Sequence, residues 1–261
     1  MKILSLGWGV QSWTLAAMVA IGELGPIDFA IHSDTGWEKE KTYEFAKEWT
    51  PWLKDKGIVV ITVNDKESSG AVIDQWGGVF IPAYTISEKG NGQLRRQCTH
   101  RWKIVPMRRW ITKMMKAREI KKNEGAIEQW IGITTDEWQR AKDSDVKYIK
   151  HQFPLLDKRM SRADCISWLQ DHELEIPGKS SCTFCPYHNM AAWQEIKRDG
   201  GKDWEEAVKV DLAIRGKRPP YPLFVSDRRR PLPEAINIPE DFGAKQLDMF
   251  DAECDSGYCF L

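Results

Sequence analysis

The sequence predicts an α/β protein with a mainly parallel, twisted sheet, helices on both faces, and a C-terminal helical and irregular segment. Two observations favour this class. Short apolar, β-branched runs alternate with helix-length segments through residues 1–160, which is the pattern of βαβ units. The chain has 261 residues, of which 42% are hydrophobic, enough to bury one such core with a small appendage. We therefore expect an α/β domain over 1–175, a helical segment packed on it over 176–225, and a tail over 226–261.

The N-terminal elements follow one another at the spacing of this fold. The pattern predicts strands at 3–4, 28–32 and 58–63, and helices at 12–22 and 40–56, the second bent or broken at Pro51. Residues 64–97 are glycine-rich and polar, which predicts a loop covering a substrate.

Later elements are predicted with the same reasoning. A basic helix at 102–120 precedes strands at 127–133 and 146–153, and Ser161 can cap a helix that runs to about residue 172. Short helices at 190–198 and 204–214 lead into the proline-rich stretch 218–239, which we expect to lie over the domain.

Charge and cysteine content limit the classes of function. Lys plus Arg and Asp plus Glu both total 38, so no global field attracts nucleic acid or a membrane. The apolar run at 15–21 is shorter than a bilayer requires, and no export signal precedes it. We expect a soluble cytoplasmic protein with no membrane partner, and homo-oligomer formation stays open. The six cysteines favour metal or redox chemistry over a disulfide framework.

The stretch S-L-G-W-G-V-Q-S after the first strand predicts an anion site. Two glycines allow close backbone approach, and the N-terminus of the following helix attracts negative charge. Its spacing matches neither the dinucleotide fingerprint nor the P-loop, so a tight turn without a ligand is the alternative. The candidate residues are Ser5, Gly7, Gly9, Gln11 and Ser12.

Asp34, Thr35 and Gly36 follow the second predicted strand. A carboxylate at the carboxyl end of a neighbouring parallel strand can bind a ribose hydroxyl or an adenine edge. The alternative is that Asp34 only caps the next helix.

Four cysteines are candidate metal ligands. Cys182 and Cys185 form a C-x-x-C-P motif, whose two thiolates can bind a metal or an iron–sulfur cluster from one turn. Cys98 and Cys165 bring the number to four. Zinc is an alternative to iron, a three-cysteine cluster with an open iron is another, and Cys165 can instead be a core thiol.

Basic residues crowd beside Cys98. Guanidinium groups bind phosphate and sulfate oxygens bidentately, so this stretch predicts an oxyanion site, with a solvated helix face as the alternative. The candidates are Arg95, Arg96 and Arg101, with Arg140 as a further phosphate contact.

Residues 5–12 together with S-D-T-G-W-E-K-E-K-T-Y-E-F at 33–45 resemble phosphoadenosine phosphosulfate (PAPS) reductases of the adenine nucleotide α-hydrolase, or PP-loop, superfamily. The resemblance implies that superfamily's fold. Many ATP-cleaving members carry Asp where Gln11 stands, which favours the sulfonucleotide branch. The segment 132–140 is similar to the family's G-x-R-x-x-x-S-x-x-R segment, where Arg140 keeps its place.

The stretch 95–106 is similar to the C-C-x-x-R-K-x-x-P segment of iron–sulfur adenylylsulfate (APS) reductases, although Thr99 stands at the second cysteine. The resemblance implies a [4Fe–4S] cluster with Lys103 beside it, adding positive field to catalysis.

The C-terminal tail contains two further cysteines. A mobile thiol can close over a substrate and leave after it is modified. Glu253-Cys254 is similar to the Glu-Cys-Gly tail of sulfonucleotide reductases, which implies Cys254 as nucleophile and Cys259 as its substitute or resolving partner. A disordered tail with incidental cysteines is the alternative.

The resemblance implies an iron–sulfur PAPS reductase-like enzyme that converts a sulfonucleotide to sulfite and AMP, or its 3′-phosphorylated form, with a thioredoxin- or glutaredoxin-like reductant. One alternative is an ATP-dependent sulfurtransferase that thiolates a nucleic acid or a small molecule. Another is a non-catalytic module that senses a nucleotide or a cluster. APS, PAPS and ATP all contain the adenosine that these motifs would hold, so the nucleotide stays open.

Overall fold

The computed structural model describes residues 1–64, 78–88 and 90–237. Within these residues the chain forms two compact units. Unit 1 contains residues 1–64 and 99–180, and unit 2 contains residues 78–88, 90–98 and 181–237. The change of unit after residue 180 lies near the predicted boundary at 175, while 78–98 belongs with the C-terminal part of the chain.

The helices and strands occur in the alternating order that the sequence predicts. They are β1 (Lys2–Ser5), α1 (Val10–Ala20), β2 (Phe29–Ser33), α2 (Glu40–Asp55), β3 (Val60–Val63), β4 (Tyr84–Ser87), β5 (Gly90–Gln93), a π-helix (Thr99–Ile104), α3 (Val105–Ala117), β6 (Ile127–Trp130), a 3₁₀-helix (Thr135–Arg140), β7 (Ile149–Gln152), α4 (Pro154–Asp157), α5 (Arg162–Asp171), α6 (Met190–Asp199), α7 (Gly201–Ile214), β8 (Leu223–Phe224) and α8 (Leu232–Ala235).

Unit 1 is built on a parallel five-stranded sheet in the order β3-β2-β1-β6-β7. Every strand pair in it is parallel. Neighbouring residues of a strand direct their side chains to opposite faces. Leu4 packs in the cluster that contains residues of α1, α2 and α5, whereas Ile3 packs with residues of α3. Both faces are therefore covered by helices, and the predicted fold class is confirmed.

Two predicted helices differ in detail from the observed ones. The helix α2 continues through Pro51 to Asp55, so of the two predicted possibilities, a bend or a break, the break is excluded. The basic helix begins earlier than predicted, as a π-helix at Thr99 that leads directly into α3.

The predicted loop over residues 64–97 contains two strands in its described part. β4 and β5 pair in antiparallel register, and β4 also pairs with β8. The resulting three-stranded sheet belongs to unit 2. β5 has the sequence G-N-G-Q, which lacks the alternating apolar pattern by which a strand is recognised.

A buried carboxylate on α7 binds the residue after β8 and the first residue of α8 in unit 2. Asp211 of α7 is 2% exposed, and its oxygens accept hydrogen bonds from the backbone N–H groups of Val225, at 2.9 Å, and Leu232, at 3.0 Å. Arg215 forms an ion pair with the same carboxylate. Within the described ranges, no helix has both the length and the apolar character that crossing a membrane requires.

Candidate functional site

The predicted anion loop lies where the strand order of the unit 1 sheet reverses. β2 and β3 follow β1 on one side, while β6 and β7 lie on the other. Connections leave β1 and β6 in opposite directions at this point, which opens a crevice at the carboxyl ends of the strands, where doubly wound sheets bind ligands. Residues 6–9 after β1 and 131–134 after β6 occupy this edge.

Hydrogen bonds within the loop fix the start of α1. The Ser12 hydroxyl accepts from the Gly7 N–H at 3.1 Å and donates to the Gly9 carbonyl at 3.2 Å. Gly9 is the N-cap of α1 and provides no side-chain cap. The first N–H groups of a helix have no partner within it, so this turn keeps the donors and the positive dipole end that an anion requires.

A tryptophan carries the unusual backbone conformation of this turn. Trp8 has a φ of 59°, a left-handed value that is rare for a bulky residue and costs on the order of 1–3 kcal/mol. Its side chain is 1% exposed and packs against the rings of Trp13 and Phe45, each with centroids 6.1 Å away. Packing of the indole therefore holds the turn between the two glycines.

Gln11 and Gly132 lie against each other at the crevice. The Gln11 side chain is fully buried, and neither of its amide atoms has a hydrogen-bond partner among the described residues. A Cβ added to Gly132 would lie 2.9 Å from the Ser12 nitrogen and 3.1 Å from the Gln11 Cβ. Only glycine therefore allows the loop after β6 to approach the first turn of α1 this closely.

Ser5 has a different place from the rest of the anion loop. It is the last residue of β1, 1% exposed, and its hydroxyl accepts from Gln129 Nε2 at 2.9 Å. This contact joins β1 to β6 beneath the loop. In this arrangement the Ser5 side chain supports the turn from within the sheet.

Asp34 lies at the carboxyl end of β2. Its Oδ1 accepts hydrogen bonds from the Gly36 N–H at 2.8 Å and from the Tyr43 hydroxyl at 2.7 Å. Thr35 is buried, and its hydroxyl donates to Glu38 Oε1 at 3.3 Å. The predicted group of Asp34, Thr35 and Gly36 therefore forms a hydrogen-bonded turn.

A buried ion pair crosses unit 1 beside this turn. Lys103 Nζ lies 3.1 Å from Glu38 Oε1, and their side chains are 8% and 1% exposed. The Ser33 hydroxyl also donates to the Lys103 carbonyl at 3.0 Å. Lys103, predicted as a catalytic residue beside the cysteines, is thus placed as the partner of a carboxylate in the Asp34 segment.

The predicted arginines are divided between the two units. In unit 1, Arg101 is exposed, while Arg140 is buried and forms an ion pair with Glu137. In unit 2, Arg95 is exposed, and Arg96 lies 5.5 Å from the centroid of the Tyr187 ring. Their assignment to phosphate or sulfate stays a prediction.

Three of the predicted metal ligands, Cys98, Cys182 and Cys185, belong to unit 2, and each is half-buried. Among the residues that the structure describes, no three His, Cys, Asp or Glu side chains form a group that could hold a metal ion. The [4Fe–4S] cluster and zinc therefore stay predictions from the sequence.

Cys165 lies in the apolar core of unit 1. It is fully buried beside residues of α1. Burial raises the pKa of its thiol to about 12. This environment favours the core-thiol interpretation that the sequence left open. Cys254 and Cys259, the predicted nucleophiles, lie outside the described residues.

Four residues of this region were not among the candidates from the sequence. Trp8, Glu38, Tyr43 and Gly132 all lie inside stretches that carried the family resemblance. The T-Y pair within residues 33–45 could have identified Tyr43 from the sequence. The pairing of Glu38 with Lys103 spans 65 positions and had no local signal.

Comparison with known proteins gives one kind of match. No family model matches the sequence, and no curated protein matches it. Eight solved chains match, among them phosphoadenylyl-sulfate (PAPS) reductase from Candida auris in a phosphate complex. That structure is 10% identical, with a TM-score of 0.46, and the match covers 67% of this chain and 74% of that one.

Proposed function

We propose that this chain is a nucleotide-binding enzyme of the sulfonucleotide reductase kind. The observation that carries the proposal is the uncapped first turn of α1 at the reversal of the strand order, with Gly132 packed against it. This arrangement suits the phosphate of a nucleotide. Asp34, at the end of the neighbouring strand, would contact a ribose hydroxyl or the adenine edge of the same nucleotide.

The reaction needs a thiol nucleophile, and Cys254 or Cys259 is the candidate. Its thiolate attacks the sulfur of the sulfonucleotide, an S–S bond forms, and the bond between sulfur and the phosphate oxygen breaks. AMP, or its 3′-phosphorylated form, leaves with the electron pair. One thiolate of a dithiol reductant, such as thioredoxin or glutaredoxin, attacks the cysteine sulfur and releases sulfite. Its second thiol then reduces the mixed disulfide.

The nucleotide-binding turn has two roles in this scheme. The N–H groups at the start of α1 stabilise the negative charge of the departing phosphate. The hydrogen bonds of Ser12 and the packing of Trp8 hold those donors in place before the substrate arrives. A fixed donor set lowers the cost of reorganisation during the reaction.

Sulfite release from APS and from PAPS, with a dithiol reductant, tests the proposal. We expect the wild-type chain to release sulfite from at least one of them and the double variant Cys254→Ser/Cys259→Ser to lose that activity. Ser256→Ala, a tail variant that keeps both thiols, is the matched control and should stay active. Full activity of the double variant, or no sulfite from either nucleotide, contradicts the proposal.

One observation favours a second candidate, an ATP-dependent sulfurtransferase. Cys165 lies in the core of unit 1, which leaves Cys98, Cys182 and Cys185 as a set of three thiols. Within the described residues these thiols are not grouped as a metal site; brought together, they would hold a cluster and leave one iron open for the incoming sulfur atom. Release of pyrophosphate from ATP, without sulfite release from APS or PAPS, distinguishes this function from the reductase.

A further inference from the structure

The sugar side of the nucleotide site is defined by the position of Asp34. The Asp34 backbone N–H donates to the Val63 carbonyl at 2.8 Å, which fixes this residue at the end of β2 and beside β3. β2 is the direct neighbour of β1. The glycine turn, residues 7–9, follows β1. In dinucleotide-binding sheets with this strand order, an acidic residue beyond the glycine turn accepts a hydrogen bond from the ribose 2′-hydroxyl, which neighbours the 3′-hydroxyl.

Only one oxygen of the Asp34 carboxylate is engaged by described residues. Oδ1 accepts from the Gly36 N–H and from the Tyr43 hydroxyl, whereas Oδ2 has no donor within the described ranges, and the residue is half-buried. Two fixed donors on Oδ1 determine the orientation of the carboxylate plane. Oδ2 is therefore held in one direction and remains able to accept a hydrogen bond from a ligand.

The proton of Tyr43 keeps this orientation. Its hydroxyl accepts from the Glu38 N–H at 3.3 Å, so its single proton is directed to Asp34. Burial, together with the hydrogen bond to Asp34, raises the pKa of Tyr43 far above its ordinary value. Tyr43 therefore stays a donor throughout the neutral range.

A carboxylate oxygen distinguishes a hydroxyl from a phosphate. A ribose hydroxyl donates a proton to it, whereas a phosphate offers acceptor oxygens and negative charge. Two buried lysines, Lys39 and Lys103, already have interaction partners, so neither supplies a spare positive charge that would offset this repulsion. Lys103 forms its ion pair with Glu38 at 3.1 Å, and Lys39 also has an interaction partner.

From these contacts, and resting on the proposed function, we propose that Asp34, positioned by Tyr43, restricts the site to adenine nucleotides with free ribose hydroxyls. A nucleotide with a 3′-phosphate is rejected. Among sulfonucleotides, the substrate class is then the adenylyl sulfate type rather than its 3′-phosphorylated form. Asp34 contacts the ligand directly, and Tyr43 is a positioning residue that acts through it.

Calorimetry on the full chain tests this inference with AMP, adenosine 3′,5′-bisphosphate, and the 2′-deoxy and 3′-deoxy forms of AMP. We expect AMP to bind at least about tenfold more tightly than the bisphosphate, and at least one deoxy form to bind about tenfold more weakly than AMP. Equal or tighter binding of the bisphosphate overturns the inference and leaves the proposed function standing. Absence of binding by AMP, the bisphosphate, APS, PAPS and ATP alike refutes the proposed nucleotide site itself.

Two variants assign the selectivity to residues. Asp34→Asn should reduce the preference for AMP over the bisphosphate to less than about threefold, because an amide can donate to phosphate. Tyr43→Phe should weaken the binding of AMP but leave unchanged the binding of the deoxy form that lacks the hydroxyl contacting Asp34. A purely structural role of Tyr43 would weaken both. Asp55→Asn, the same change at an exposed position at the end of α2, is the control. Folded Asp34→Asn with wild-type selectivity overturns the assignment, and circular dichroism checks the fold.

Discussion

At the scale of single residues, the glycine turn depends on neighbours that are not glycine. Gly7 and Gly9 suggested that flexible backbone would allow the ligand to approach, yet the left-handed conformation lies at Trp8 between them. The buried indole, packed against Trp13 and Phe45, compensates for this strain. A pattern of residue types cannot show such compensation, because it depends on which side chains from α1 and α2 meet the turn.

Substitution of Gly132 tests whether the first turn of α1 belongs to the nucleotide-binding site. In Gly132→Ala the new Cβ would lie 2.9 Å from the Ser12 nitrogen and 3.0 Å from the Gln11 carbonyl carbon. These are backbone atoms, so the first turn of α1 must shift, at a cost of about 1–3 kcal/mol. We expect calorimetry to show AMP binding about tenfold weaker or worse.

Gly178→Ala is the matched control for this change. Its added Cβ would meet no atom of the described part of the chain within 4 Å, so AMP affinity should match that of the wild-type chain. An unchanged AMP affinity in Gly132→Ala would show that the first turn of α1 is not part of the binding site.

Substitution of Cys165 distinguishes a packing role of its thiol from a role as a metal ligand. Because its thiol is fully buried in the unit 1 core, Cys165→Ala should lower the free energy of unfolding by about 1–2 kcal/mol. Metal analysis after anaerobic purification should show unchanged iron and zinc content. In Cys182→Ala, by contrast, any bound metal should be lost. Loss of metal in Cys165→Ala would identify Cys165 as a ligand.

At the scale of elements, the Lys103 and Glu38 pair joins the π-helix to the turn after β2. Breaking a buried ion pair leaves one charge uncompensated, so Lys103→Met and Glu38→Gln should each cost about 3–5 kcal/mol in denaturant unfolding. The double variant should cost less than the sum, because neither charge is left alone.

A surface pair is the control for this cycle. Lys2 and Glu128 lie 3.8 Å apart with side chains 45% and 40% exposed, so Glu128→Gln should change stability by less than about 1 kcal/mol. Strictly additive single changes at Lys103 and Glu38 would contradict the pairing.

Asp211 makes the corresponding prediction for unit 2. Asp211→Asn turns an acceptor oxygen into a donor that faces either the Val225 N–H or the Leu232 N–H. An unsatisfied buried group of this kind costs about 2–4 kcal/mol. Hydrogen exchange should show faster exchange at Val225 and Leu232, and Glu205→Gln, at an exposed position of α7, should leave both amides unchanged. Wild-type protection in Asp211→Asn would contradict this role.

Local signals predicted the elements that depend on local interactions. Ser161 is a clear case, because its hydroxyl accepts the Asp164 N–H and the Asp164 side chain accepts the Ser161 N–H, all within one turn. β4 and β8 show the opposite case. Thr85 of β4 pairs with Leu223 of β8, which is distant in the sequence. β8 has only two residues, too few for a periodic pattern to predict a strand.

At the scale of the whole molecule, the sheet explains which parts of the candidate site the sequence could predict. Parallel strands all end at one edge, so the turns after β1, β2 and β6 can be placed together from strand order alone. Contacts such as Gly132 against Ser12 depend on the register of β6 beside β1. The sequence therefore predicted the edge but not the contacts that shape it.

The same sheet makes a prediction about ligand protection. If one nucleotide contacts all three turns, AMP should slow amide hydrogen exchange together in residues 7–12, 34–38 and 131–134. At free AMP ten times its dissociation constant, exchange that requires ligand release should slow about tenfold. The amides of α5, which lies behind α1 in the core, serve as the internal control and should be unaffected. Protection confined to residues 7–12 would mean that the turn binds an isolated anion, since a nucleotide placed across the reversal of strand order must also meet the ends of β2 and β6.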